Sequence, residues 1–191
     1  MGIKVVTDAA TEPVDATFAK LWTKIDGADD DDIIDLLITG ARKAAESFCE
    51  RYFVPRTIAL HLDAFPTAEI ELPRPPIIAI DHVKYYDGDG VLTTISSANY
   101  TFEQSHGDPP VRAWLLPASE YEWPSTQDVA NAVEIQYQCG FSTCPWDVKE
   151  YICAHIASTY SQRESIARSD RVQKVVPFWI GKLDPYRIVG V

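Results

Sequence analysis

The stretch Pro145-Trp-Asp-Val-Lys-Glu-Tyr-Ile-Cys-Ala-His-Ile-Ala-Ser-Thr-Tyr-Ser-Gln-Arg-Glu164 constrains this chain most. Val148, Tyr151, Ile152, His155, Ile156, Thr159 and Tyr160 recur at alternating steps of three and one, which sets all seven on one face of an α-helix. Pro145 suits a first helical turn. Asp147 and Glu150 suit the positive end of the helix dipole and Arg163 its negative end. Such a stripe needs an apolar partner. Ile34, Leu37, Ile38, Ala41, Ala45, Phe48 and Tyr52 supply one, on a helix predicted over 30–51, where Ala41, Ala44 and Ala45 permit close approach. A shorter helix over 13–25 is predicted from Val14, Phe18, Leu21, Trp22 and Ile25.

Between these helices the period changes from 3.6 to 2. Ile58, Leu60 and Leu62 alternate with Ala59, His61 and Asp63, and Ile70 and Leu72 continue the pattern. Pro73-Arg74-Pro75-Pro76 is a stiff corner. Strands at 78–86 and 91–95 flank Asp87-Gly88-Asp89-Gly90, a hairpin signature. Further strands are predicted at 100–103, 111–116 and 133–138. The fold class is therefore α+β. A small helical bundle, N-terminal helices plus a long C-terminal helix, is interrupted by an antiparallel sheet and followed by an extended tail. The expected organisation is a flexible arm at 1–12, a helical unit from 13–55 and 141–170, a β insert at 56–140, and a C-terminal docking segment at 171–191.

Charge excludes some functions. The net charge is −11, and residues 51–140 carry 12 acids against 5 bases, so a DNA-gripping surface is not expected. Residues 163–191 reverse the balance, with six bases and three acids, around apolar Val175-Val176-Pro177-Phe178-Trp179-Ile180. That segment is too short for its own core and is expected to dock on its own body or on a neighbouring subunit. Removal of 172–191 is expected to leave the fold intact. No apolar run approaches the roughly 20 residues of a membrane span, and the first residues lack the long apolar stretch of a signal peptide. Cys49, Cys139, Cys144 and Cys153 show no CxxC spacing and are expected as free thiols; Cys139 and Cys144 flank a loop and could pair under oxidising conditions.

The chain shows no Ser-His-Asp, P-loop, His-Glu-x-x-His or GxGxxG pattern. Asp29-Asp30-Asp31-Asp32 reads as an acidic helix N-terminus rather than a metal site, because a calcium loop needs spaced oxygen ligands with Gly and Glu at fixed positions. Asp87-Gly88-Asp89-Gly90 reads as a tight turn. His155 reads as a hydrogen-bonded core histidine. Cys153 and His155 point to different helix faces and make a poor zinc pair. Trp114, Tyr121 and Trp123 suit either partner-facing anchors or packing over a sheet edge.

This order of features resembles the bacteriophage head–tail connector family, also called adaptor or head-completion proteins. The likeness is to its long members, including those of gene transfer agents, in which a β insert separates the helices. It rests on Asp31 to Arg51, Leu60-His-Leu-Asp-Ala-Phe-Pro66, Ile70-Glu-Leu-Pro-Arg-Pro-Pro76 and Val83-Lys-Tyr-Tyr-Asp-Gly-Asp-Gly90. Trp123-Pro124, Val133-Glu-Ile-Gln-Tyr137 with Gly140, the Pro145 helix and Asp184-Pro-Tyr-Arg187 complete it, covering about 14–187. The resemblance implies a structural, non-enzymatic subunit of the virion neck, assembled in the bacterial host cytoplasm, with no catalytic residue, metal or cofactor. It implies a ring, commonly a dodecamer, beneath a portal protein, extending the DNA channel and receiving a downstream tail or stopper protein. DNA would pass without specific binding, and no membrane is involved. Candidate portal or subunit contacts are Arg168, Arg171, Lys174, Val176, Phe178, Trp179, Ile180, Tyr186 and Arg187. Candidate channel acids are Asp87, Asp89, Glu120 and Glu122, with Asp29–Asp32 as another option. The alternatives are a small metal-dependent hydrolase using the acidic clusters and a ligand-binding module.

Overall fold

Alternation of inward apolar and outward polar side chains builds most of the strands. The computed structural model describes residues 2–162 and 177–188. The chain divides into two units, Met1–Ala10 with Pro55–Gly140, and Thr11–Val54 with Phe141–Val191.

The first unit is antiparallel β. One sheet has the order β1-β2-β8-β4-β5, formed by β1 (Gly2–Thr7), β2 (Arg56–Leu62), β8 (Val133–Cys139), β4 (Ile77–Tyr86) and β5 (Leu92–Ile95). The other has the order β3-β7-β6, formed by β3 (Ile70–Glu71), β7 (Ala113–Pro117) and β6 (Tyr100–Gln104). Ile58, Leu60, Val83, Val133, Ile135 and Tyr137 of the larger sheet are buried, as are Ile70, Ala113 and Leu115 of the smaller one and Leu72 beside it. Each of the valine, leucine and isoleucine side chains among them contributes about 1.5–3 kcal/mol on leaving water. Gln104 joins the sheets. Its Oε1 accepts from the Ile77 N–H at 2.8 Å and its Nε2 donates to the Ile77 carbonyl at 3.0 Å. The Tyr137 hydroxyl donates to the Pro73 carbonyl at 2.9 Å.

The N-terminal residues differ from the expected flexible arm. Gly2–Thr7 pairs antiparallel with β2 at the edge of the larger sheet. All six residues are exposed, so backbone hydrogen bonds rather than burial hold the strand, and it leaves no half-buried alternation to read.

The second unit is helical: α1 (Ala16–Thr23), α2 (Asp31–Cys49), α3 (Trp146–Gln162) and α4 (Pro177–Gly181), followed by a 3₁₀ turn at Asp184–Tyr186. The long-range pairing of α2 with α3 is as expected. Ile34, Ile38, Ala41, Ala45 and Cys49 share a core with Val148, Tyr151, Ile152, Cys153 and Ile156. Three details differ. Thr159 is exposed and Cys153 takes a core position. Leu21 is 79% exposed and Trp22 38%, because the short α1 meets the core through Ala19 and Phe18. Arg42 and Glu46, two turns of charge on the inner face of α2, are buried as a pair. Arg42 Nη1 lies 2.9 Å from Glu46 Oε2, Arg42 Nε lies 2.6 Å from Glu12 Oε2, and Glu46 Oε1 accepts from the Phe53 N–H at 3.1 Å.

Residues 177–188 are not an extended tail. Leu183 is 1% exposed within the helical core, and Trp179 and Tyr186 pack against it. The Ile188 N–H donates to the Cys49 carbonyl at 3.0 Å, and Arg51 donates to the Tyr186 carbonyl. Of the two docking options, this part of the segment takes its own body. The packing of Leu183 argues against the expectation that 172–191 can be removed with the fold intact, because removal would open the site that Leu183 fills.

Candidate assembly surfaces

The acidic runs are occupied by local structure. Asp30 holds the N-cap position of α2, yet its carboxylate makes no cap hydrogen bond and instead accepts from the Tyr160 hydroxyl. Asp31 pairs with Lys20. The dipole part of the cap reading holds, with Asp31 and Asp32 in the first turn. In the β4–β5 turn, Asp87 Oδ1 accepts from the Asp89 N–H at 3.0 Å and the Val91 N–H at 2.9 Å, and Thr93 Oγ1 lies 3.4 Å from Asp87 Oδ2. Gly90 takes φ +77°, which a side chain would strain. Asp87 thus closes the hairpin. Among the described residues no group of three or more His, Cys, Asp or Glu is placed to hold a metal ion.

The candidate channel acids lie on two neighbouring loops of the β unit. Asp89, Glu120 and Glu122 are exposed and Asp87 is half-buried. The Gln127 N–H donates to the Tyr86 carbonyl at 2.9 Å, tying the loop that carries Glu120 and Glu122 to the hairpin that carries Asp87 and Asp89. Aromatic rings extend this link. Trp123 stacks on Phe65 with centroids 4.9 Å apart, Tyr121 meets Trp123 edge-on at 6.2 Å, and Tyr85 meets Phe65 at 5.7 Å. Phe65, Tyr121, Trp123 and Pro124 border a shallow groove of about 510 Å³. Trp114 stands apart in β7, half-buried and opposite Glu71 and Glu103.

The C-terminal candidates separate into three groups. Arg168, Arg171, Lys174 and Val176 lie outside the described residues, and Phe178 is placed by its backbone alone in α4. Trp179 and Tyr186 are half-buried on the helical core, with Tyr186 edge-on to Phe53 and Phe141 at 6.0 Å. Ile180 and Arg187 are exposed, and the Arg187 guanidinium sits 4.9 Å over the Phe48 ring. Lys182 pairs with Glu150 and lies 3.8 Å from Asp147. The hydrogen bond that Lys182 donates to Glu150 holds the ammonium's pKa above its ordinary value and that of the carboxyl below its own.

Two features were not read from the sequence. His82 Nε2 lies 3.0 Å and His61 Nε2 4.0 Å from the carboxylate of Glu134, on the outward face of the sheet. The His82 hydrogen bond pulls the Glu134 pKa down. Strand register produces this cluster, since His61 and Lys84 face Glu134 from its two sides. The second is apolar exposure on α2, where Ile33 and Leu36 are 43% and 74% exposed. Burial of the four cysteines matches the free-thiol reading. It pushes the thiols of Cys49 and Cys144 up to about 12 and that of Cys153 to about 11. His155 is half-buried, its Nδ1 lies 3.5 Å from Thr159 Oγ1, and burial lowers its pKa.

Residues 17–110 match the family model of the phage gp6-like head–tail connector protein. The fold recurs in solved structures described as the neck of an empty GTA particle computed with C6 symmetry (TM-score 0.78) and the virion of a native gene transfer agent particle (0.76). It also recurs in the neck of a native GTA particle computed with C12 symmetry (0.69). Each is 19% identical to this chain, with 100% of this chain and 97% of the other covered. No curated protein matches. The resemblance to head–tail connectors read from the ordered residues is borne out, by family over 17–110 and by fold along the whole chain.

Proposed function

We propose that this chain is a structural head–tail connector subunit. It forms a ring beneath a portal protein in the virion neck, extends the DNA channel, and receives a tail or stopper protein on its far side. The observation that carries the reading is the family match over 17–110, joined to a full-length fold likeness to structures described as necks. The ring is a dodecamer assembled in the host cytoplasm, and its work is binding rather than catalysis. An acidic body supports passage without adhesion, because the channel supplies few cations to replace those condensed on DNA phosphates. Asp87, Asp89, Glu120 and Glu122 are the proposed lining. The basic residues Arg168, Arg171 and Lys174, with exposed Ile180 and Arg187, are the proposed portal contact.

No observation favours the metal-dependent hydrolase, since Asp30, Asp31 and Asp87 already serve Tyr160, Lys20 and the hairpin turn. Gradient sedimentation with the cognate portal ring tests the reading. Co-migration is expected, and it should weaken when Arg168, Arg171 and Lys174 are all changed to Glu. Separate migration at every salt concentration would refute it.

A further inference from the structure

The larger sheet ends in two open edges. β1 lies at one side of the order β1-β2-β8-β4-β5 and β5 at the other, and among the described residues neither has a second strand neighbour. Every pairing in the sheet is antiparallel, so four steps bring β5 back to the direction of β1. One apolar row crosses all five strands in register: Ile3, Leu60, Ile135, Val83, Ile95. Its three middle members are fully buried and Ile95 is 5% exposed, but Ile3 is 43% exposed. Val5, opposite Ile58 on the same face, is also 43% exposed. The apolar face thus runs past its cover at β1 and is finished at β5.

Edge strands of soluble proteins are usually guarded by charge, proline, bulges or covering chain, since bare ones recruit another strand. Here the guard is thin. Lys4 is the only charge on β1, β5 (Leu-Thr-Thr-Ile) has none, neither contains proline, and one bulge interrupts β1 between Val5 and Thr7.

We propose that β5 of one copy pairs in parallel with β1 of the next, so that the ring is joined by a sheet continuing from subunit to subunit. This rests on the ring reading above. A cyclic ring needs two different complementary surfaces on each subunit, and the two ends of one sheet are such a pair. Rotation about an axis near the strand direction preserves strand direction, as parallel pairing requires. The register that overlaps β1 most fully while keeping each face sets Ile3, Lys4 and Val5 beside Thr93, Thr94 and Ile95 of the neighbour. Ile3 and Val5 then gain the cover they lack.

Thiol crosslinking of Lys4→Cys/Thr94→Cys in the full chain, with a short bismaleimide, tests the junction. The four native cysteines are buried and leave the new thiols as the reactive ones. Within one copy the two edges are four strand spacings apart, about 19 Å, so a short crosslinker reports contact between copies. A ladder of trimers and larger species is expected from the double variant and not from either single one. Dimers from Lys4→Cys alone would show a two-fold β1–β1 contact and overturn the proposal. A wild-type ring without a ladder would overturn it while leaving the ring reading intact. A ladder from protein that sediments as open chains would uphold the junction and count against the closed ring. Absence of both ring and ladder would overturn both.

Discussion

Arg42 shows how one side chain can be legible as a type and illegible as a position. A charged residue on a helix is normally assigned to the solvent face. Arg42 is 3% exposed instead, held by Glu12 from one side and Glu46 from the next turn of its own helix. Glu12 lies 30 residues away, beyond the reach of any helical spacing rule. Removing one partner leaves charge buried, so Glu46→Ala is expected to lower unfolding free energy by about 3 kcal/mol, read as a fall in the urea midpoint. An unchanged midpoint would mean that Glu12 alone satisfies the guanidinium. Glu134 makes a prediction with a sign. Its folded pKa lies below the unfolded 4.5, chiefly through the His82 hydrogen bond. The unfolded chain therefore binds more protons between the two values. The stability that Glu134 contributes is present above the unfolded value and is lost as pH falls through the folded one. Wild type should exceed Glu134→Gln in stability at pH 7 and lose that margin below the ordinary carboxylate range. A margin that persists in acid would contradict this assignment.

At the scale of elements, legibility followed burial. β2, β4 and β8 alternate in sequence because one of their faces is covered, and the 3.6-residue stripes of α2 and α3 are readable for the same reason. β1 could not be read this way, since both its faces are in water and its pairing is a backbone matter. Leu21 misled because an apolar residue at helical spacing implies a partner, whereas α1 is too short to present its whole stripe inward. The C-terminal segment misled differently. Its apolar run looked like a docking peptide, but the residue that anchors it, Leu183, stands beyond that run and completes the core of α2 and α3. Leu183→Ala is expected to cost about 3 kcal/mol, as a fully buried leucine does, and a chain ending at 176 should melt well below the intact one. A truncated chain with an unshifted melting temperature would return these residues to the role of a detachable tail.

For the whole molecule, little of the function is written in reactive groups. Several acids serve helix ends, turns and ion pairs, the four thiols are buried, and apolar groups such as Ile3, Val5, Ile33 and Leu36 are left exposed. Such surfaces have no residue motif, which is why the candidate sites were harder to see in the sequence than the fold. The connector likeness came from the order of helices, strands and corners rather than from any catalytic pattern. The most direct measurement is negative-stain electron microscopy of the cognate portal mixed with this protein, beside each alone. The connector account predicts a ring of added density on one face of the portal, with rotational symmetry matching twelve subunits. Bare portals in the mixture, with this protein monomeric by light scattering, would contradict it.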